Sequence, residues 1–217
     1  MTEEQNQYVV LRWTTESFVS ESDEPDDFIY ETSGYLLTVN NDNNHKSLTG
    51  KFRLYYVDVE RAANHGIPAF DVFDSYAHTV DYHDALFGAS SPEFSDQLMD
   101  ILRYDVVGSN VLILDRLEIL PKYRNRGLGL SVMRHMIERF ASGTAVVAIK
   151  PFPLQFEPEP LCEDEKKWRV YLGLPELSKN TRSATKKLRD YYSRLGFISM
   201  HGTPFMVRSS IWNIPAV

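Results

Sequence analysis

Phe52, Leu54 and Tyr56 place apolar side chains at every second position, which is the pattern of a β-strand with one buried face. Residues 8–13 predict a first strand, and residues 34–39 and 50–58 predict a second and a third. The polar run N-N-D-N-N-H-K between the last two is rich in turn-forming residues, so these strands should form a hairpin. A short helix is expected over residues 59–65, ending before Gly66.

Residues 111–150 change to a strand–helix–strand pattern. An apolar run over 111–120 predicts a buried strand, and a second run over 144–150 predicts another. Between them, residues 128–141 place apolar side chains at helical spacing, and Gly143 ends the helix. The face of this helix that should be buried carries Leu130, Met133, Met136, Ile137 and Phe140.

The rest of the chain has weaker patterns. A strong helix should begin at Thr181 or Ser183 and end before Gly196, and the run F-I-S-M after it starts a strand. Strand and helix signals are mixed over residues 70–105. The remaining expectations are short helices over 94–102 and 163–172, solvated loops over 20–27 and 151–161, and a last strand within 204–212.

Charge and cysteine content narrow the class of protein. The formal net charge of −7 over 217 residues argues against nucleic acid as a partner. The chain has no apolar run as long as a membrane span and no signal-peptide pattern, so we expect a cytoplasmic protein that does not bind membranes. The single cysteine, Cys162, excludes an internal disulfide, and its acidic surroundings disfavour a nucleophilic thiolate.

The segment I-L-P-K-Y-R-N-R-G-L-G-L (119–130) has the order of parts that builds an anion site. It joins a strand to the start of a helix, where unpaired N–H groups and the helix dipole attract negative charge. Gly127 and Gly129 allow close approach to the backbone, and Arg124 and Arg126 add positive charge. It is neither a Walker A loop nor a dinucleotide-binding loop, because the residues that should follow the glycines differ.

Arg124-x-x-Gly127-x-Gly129 resembles the [QR]-x-x-G-x-[GA] signature of the GNAT-type N-acetyltransferase superfamily. The resemblance implies an α/β fold with a mixed, mostly antiparallel central sheet flanked by helices. It also implies one domain over 1–217, with a coenzyme-binding core at about 111–198 and an elaborated half over 1–110.

In that superfamily the loop holds the pyrophosphate of acetyl-coenzyme A, the acyl-donor co-substrate. The residues that would frame the pyrophosphate are Arg124, Asn125, Arg126, Gly127, Leu128, Gly129 and Leu130. Ile119 and Leu120 would offer backbone groups to the pantetheine arm.

A second match lies in Y-Y-S-R-L-G-F (191–197), which resembles the Y-x-x-x-G-F segment of the same superfamily. The match implies that Tyr192 points at the coenzyme sulfur and acts as the general acid. Tyr191 should face about 100° away around the helix. Thr185 and Leu188 depart from the family pattern at the start of the segment.

Two carboxylates on the strand before the loop are candidates for the general base that deprotonates the attacking amine. Asp115 and Glu118 are three positions apart, so on a regular strand they should point to opposite faces. The resemblance favours Asp115, while pairing with Arg116 is the structural alternative for Glu118. His83 is a further candidate base.

His78 and Asp81 would share one face of a helix and could form a metal pair, but the fuller spacing of a zinc site is absent, and the predicted reaction requires no metal.

The predicted function is acetyl transfer from acetyl-coenzyme A to an amine by direct attack, without a covalent enzyme intermediate. The acceptor could be a small molecule or a peptide amine. The alternative is a non-catalytic module that binds acyl-coenzyme A for regulation or interaction. The extra segments, before residue 110 and over 151–182, should shape the acceptor pocket or a homodimer interface.

Overall fold

The computed structural model describes residues 7–15, 24–42, 44–88 and 93–216, and these form one seven-stranded sheet flanked by helices. The strand order is β1-β2-β3-β4-β5-β7-β6. Within these ranges β4 and β5 pair in parallel, and the other neighbouring strands pair antiparallel. The predicted fold class is therefore confirmed. The strands are β1 (Gln7–Thr14), β2 (Ile29–Asn40), β3 (Lys46–Val57), β4 (Val111–Ile119), β5 (Val146–Ile149), β6 (Ile198–Ser199) and β7 (Met206–Ser209).

The helices agree with the sequence patterns except in the region of mixed signals, where two short helices were not foreseen. They are α1 (Val59–Asn64), α2 (Ala69–Asp74), α3 (Val80–Leu86), α4 (Asp96–Leu102), α5 (Leu128–Phe140), α6 (Glu163–Tyr171) and α7 (Thr181–Ser193). The unforeseen ones are α2 and α3. Of the expected loop over 20–27, residues 20–23 lie outside the described residues, and Pro25–Phe28 form a 3-10 turn. In the part of the chain with assigned structure, no helix is long and apolar enough to cross a membrane.

Each face of the sheet carries its own apolar layer. Helices α1 to α4 pack on one face, where Tyr55, Val111 and Ile113 are fully buried. Helix α5 packs on the other face through its predicted apolar stripe, together with the end of α7 and the following Leu195. Because both faces are covered, the central strands are buried on both sides, as expected for the parallel part of a sheet.

The two parallel strands diverge soon after they begin to pair. Residues 111–113 of β4 pair with residues 146–148 of β5, and the register ends there. From residue 116 to residue 119, β4 pairs along its other edge with β3, and no described strand covers the edge that faces β5. This unpaired edge, called the gap below, lies at the carboxyl ends of the two parallel strands, which is where open α/β sheets bind ligands.

A β-bulge lies in β4 at the start of this gap. Arg53 pairs with Arg116 and Tyr55 pairs with Ile113, so three steps along β4 match two steps along β3. Leu114 and Leu117 consequently both belong to the apolar layer beneath α5, although they are three positions apart.

The same bulge turns Asp115 towards Arg53, whose cross-strand partner is Arg116. Arg116 in turn bonds to Glu118 on its own strand. Asp115 and Glu118 thus lie on one face of the sheet, and the prediction that they point to opposite faces is wrong.

Candidate functional site

The turn between β4 and α5 presents a row of backbone N–H groups. Asn125 and Gly127 have positive φ angles of 60° and 75°, and Gly127 is the N-terminal cap of the thirteen-residue helix α5. In the described structure the N–H groups of Asn125, Gly127, Leu128 and Gly129 have no protein acceptor. Unpaired donors at the positive end of a helix dipole form a site for an anion such as a diphosphate.

Arg124 holds this turn in place rather than pointing into it. Its guanidinium donates to the carbonyl of Ile119 at 2.7 Å and to the carbonyl of Leu172, after α6, at 2.6 Å. The backbone of Leu120 is also used within the protein, because its N–H donates to Thr49 and its carbonyl accepts from Tyr123, both at 2.9 Å. Because Arg124 also occupies the carbonyl of Ile119, the expected backbone contact with the pantetheine arm narrows to the N–H of Ile119.

A matched pair of glycine substitutions tests the anion site. At both Gly127 and Gly66 φ is near 75°, and an added Cβ would meet no protein atom within 4 Å. Alanine at either position should cost a similar ~1–2 kcal/mol of stability from left-handed backbone strain. If the turn holds a diphosphate, Gly127→Ala should in addition weaken coenzyme A binding about tenfold or more, since its methyl group would stand where the phosphate approaches. Calorimetric titration of both variants measures this, and equal affinities would refute the assignment of the loop.

Tyr191 packs directly against the start of α5. Its hydroxyl is hydrogen-bonded to the backbone of Leu130, and a Cβ at Gly129 would collide with that hydroxyl. Such a Cβ would also lie 3.4 Å from the Ile119 side chain. The glycine is therefore required for close packing of the end of β4, the start of α5 and the side of α7.

The neighbouring Tyr192 has a different environment. Its ring is half-buried in the layer beneath α5 and lies 5.8 Å from the Tyr191 ring, at an interplanar angle of 61°. Among the described residues its hydroxyl has no hydrogen-bond partner, and no fully buried side-chain atom there is left unpaired, so the hydroxyl keeps some contact with solvent. Burial, followed by the nearby Tyr191, raises the pKa of Tyr192, which keeps its proton in place at neutral pH.

Tyr82, on α3, lies close to the residue that follows β5. It is fully buried, and its hydroxyl is hydrogen-bonded to the backbone of Lys150, the residue that follows β5. Burial raises the pKa of Tyr82, and the charge of Asp115 raises it further. Asp115 lies just past Ile113, where the pairing of β4 with β5 ends, and Tyr192 belongs to the layer on the opposite face of the sheet.

The two candidate carboxylates have different environments. Asp115 accepts a hydrogen bond from Arg53 at 2.6 Å through Oδ2, and its Oδ1 has no hydrogen bond within the described ranges. Glu118 is 6% exposed and uses both oxygens, accepting from Arg116 at 2.7 Å and from Trp168 at 2.6 Å. Glu118 therefore has the structural pairing with Arg116 that was the alternative for it, and each of its oxygens already accepts one hydrogen bond.

The histidine-rich segment does not assemble as one site. His83 is 5% exposed and lies among the rings of Phe70, Phe73 and Phe87, so it cannot serve as the alternative base. Asp81 is paired with Lys150 at 3.0 Å, whereas His78 contacts Tyr55 at 2.6 Å. No group of three or more metal-binding side chains is found among the residues for which the structure gives positions.

Comparison with known proteins gives little further information. No protein-family model matches this sequence, and no curated protein matches it. A solved structure of a tyrosine-to-phenylalanine mutant of KacT is similar, with a TM-score of 0.39 and 13% identity over 84% of this chain and 72% of that chain. This similarity is too weak to indicate a function, and the fold class follows from the strand order and the helices described above.

Proposed function

We propose that this protein is a GNAT-type N-acetyltransferase that moves an acetyl group from acetyl-coenzyme A to an amine. The observation that carries the proposal is the row of unpaired N–H groups at the start of α5, directly beside the gap between β4 and β5. The loop would bind the diphosphate of the coenzyme. The uncovered edge of β4 would pair with the amides of the pantetheine arm, as an added strand does.

The proposed reaction is direct attack of the amine on the thioester carbonyl. Tyr192 approaches the gap from the face covered by α5, and its free hydroxyl would donate a proton to the departing sulfur. Asp115 approaches from the opposite face with one oxygen free of hydrogen bonds, and that oxygen would hold the ammonium form of the acceptor. Tyr192, as the general acid, and the acceptor amine at Asp115 would thus lie on opposite sides of the thioester.

Two measurements made in sequence test this function. Calorimetric titration with coenzyme A, and with pantetheine as the control that lacks the diphosphate, should show binding that depends on the diphosphate. Thiol release from acetyl-coenzyme A should then be assayed with small amines, amino acids and peptides as acceptors. Tight binding without turnover on any acceptor would favour the non-catalytic acyl-coenzyme A module, and absence of binding would refute both functions.

A further inference from the structure

Three polar side chains form a line of hydrogen bonds on the sheet face that α1 to α4 cover. Glu31 of β2 and Tyr55 of β3 are opposite each other in the strand register, and the Tyr55 hydroxyl donates to Glu31 Oε2 at 2.9 Å. The same hydroxyl lies 2.6 Å from Nε2 of His78. Tyr55 is fully buried, whereas His78 is exposed in the turn between α2 and α3. The line therefore runs from the interior of the protein to its surface.

The chemistry of these groups decides where the protons lie. An ionised carboxylate can only accept hydrogen bonds, so the phenol proton of Tyr55 points at Glu31. The Tyr55 oxygen can then only accept from His78, so Nε2 of His78 must carry a hydrogen. In the neutral ring the lone pair is therefore on Nδ1. No other residue in the described structure hydrogen-bonds to Nδ1.

The surroundings of His78 keep the ring neutral. The part of the ring that is covered by protein has the largest effect and lowers the pKa of His78 below its usual value, and Arg53 and Arg116 lower it further, against the opposing effects of Asp115 and Glu31. Two aromatic rings lie beside it, with centroids 5.1 Å and 6.0 Å from the imidazole. The titratable and charged groups that face His78 are Glu31 of β2, Arg53 and Tyr55 of β3, Asp115 and Arg116 of β4, and Tyr76 of its own turn.

Asp115 connects this cluster to the gap in the sheet. Tyr55, which contacts His78, pairs across the sheet with Ile113, the last residue of β4 that pairs with β5, and Arg53, which binds Asp115, lies 5.8 Å from the centre of the Tyr55 ring. His78 is therefore on the acceptor side of the proposed site, on the face opposite Tyr192. Asp115 and Glu118 lie on a strand. His78, in contrast, would act as a base from a turn and would be oriented by Tyr55.

We propose that His78 is the general base for the acceptor amine and that Tyr55, fixed by Glu31, is the positioning residue that holds it in the required tautomer. This inference rests on the proposed acetyl transfer. The ammonium held at Asp115 first gives one proton to water, and the neutral amine nitrogen then bonds to the carbonyl carbon while its next proton passes to Nδ1 of His78. The carbon–sulfur bond breaks with its electron pair on sulfur, which takes the proton of Tyr192. Water then removes the proton from His78 and restores the one on Tyr192.

Kinetics as a function of pH test the base. His78→Gln should lower kcat/KM about a hundredfold and abolish the fall in rate at acid pH that wild type shows when His78 is protonated. Its affinity for coenzyme A should be unchanged. His201→Gln, an exposed histidine outside this line of contacts, is the matched control and should behave as wild type. An unchanged profile in His78→Gln with active wild type would overturn the role of His78 and leave acetyl transfer standing.

Nitrogen-15 NMR of the imidazole tests the positioning without any assay of activity. The neutral ring of His78 should be protonated at Nε2, and Tyr55→Phe should shift it towards a mixture of tautomers. Tyr55→Phe should also lower kcat/KM about tenfold while His78 remains present. A ring protonated at Nδ1 in wild type would overturn the positioning by Tyr55, whatever the outcome for acetyl transfer.

Discussion

Replacing Tyr192 by phenylalanine should lower kcat about a hundredfold or more and leave the affinity for coenzyme A unchanged. The substitution keeps the half-buried ring that packs beneath α5 and removes a hydroxyl that makes no hydrogen bond in the described residues. The folded state should therefore lose little stability, while the departing thiolate loses its proton donor. Steady-state thiol release and calorimetric titration with coenzyme A measure the two quantities separately.

Tyr191→Phe is the matched control for this prediction. It removes the adjacent hydroxyl, which is bonded to the backbone of Leu130 at the start of α5. Any effect should be on coenzyme affinity, because that bond lies in the proposed diphosphate site, and kcat should stay close to the wild-type value. Equal losses of kcat in both variants would mean that packing rather than proton transfer is responsible. An unchanged kcat in Tyr192→Phe would remove that residue from the mechanism.

Replacing Arg208 by methionine should cost about 3 kcal/mol or more of unfolding free energy. Arg208 is completely buried on β7, and its guanidinium donates to the carbonyls of Leu195, Ser209 and Trp212. Burial, followed by the charge of Arg134, lowers the pKa of Arg208 to about 10, so it is still protonated at neutral pH. Methionine keeps much of the volume but leaves three carbonyls without their donor.

Urea unfolding measures this loss, with Arg189→Met as the control. Arg189 is partly buried and donates one bond, to the carbonyl of Thr203 at 3.2 Å, so its loss should cost about 1 kcal/mol or less. Because Leu195 follows the helix that carries Tyr192, Arg208→Met should also lower activity where the protein remains folded. A variant as stable as wild type would show that solvating the arginine in the unfolded state outweighs its three bonds.

The parts of the site that could be predicted from sequence are contiguous along the chain. A strand, a glycine turn and an amphipathic helix follow one another over residues 111–141, so their local patterns determine both their order and their proximity. The same holds for the end of α7, where the helical pattern stops at Gly196. Local periodicity captures such units because few distant contacts can override it.

The parts that could not be predicted depend on contacts between distant segments. The alternation in β3 identified Phe52 and Leu54 as one buried face, but helices cover the other face as well, so Tyr55 is equally buried. An arginine in a strand suggests an exposed edge, whereas Arg208 lies on a central strand between β5 and β6. The hydrogen bonds made by Tyr55 and Arg208 cannot be predicted from the spacing of residues along the chain.

The extra residue in β4 makes the two positions of the bulge unequal in their tolerance to deletion. Downstream of the bulge, Leu117 and Ile119 face the layer beneath α5, and Arg116 and Glu118 face the opposite side. Deleting Asp115 would restore a regular strand in which both sets keep their faces, whereas deleting Leu114 would place Asp115 in the apolar layer beneath α5. The loss of Leu114 should thus be far more damaging to stability than the loss of Asp115, although both shorten the strand by one residue.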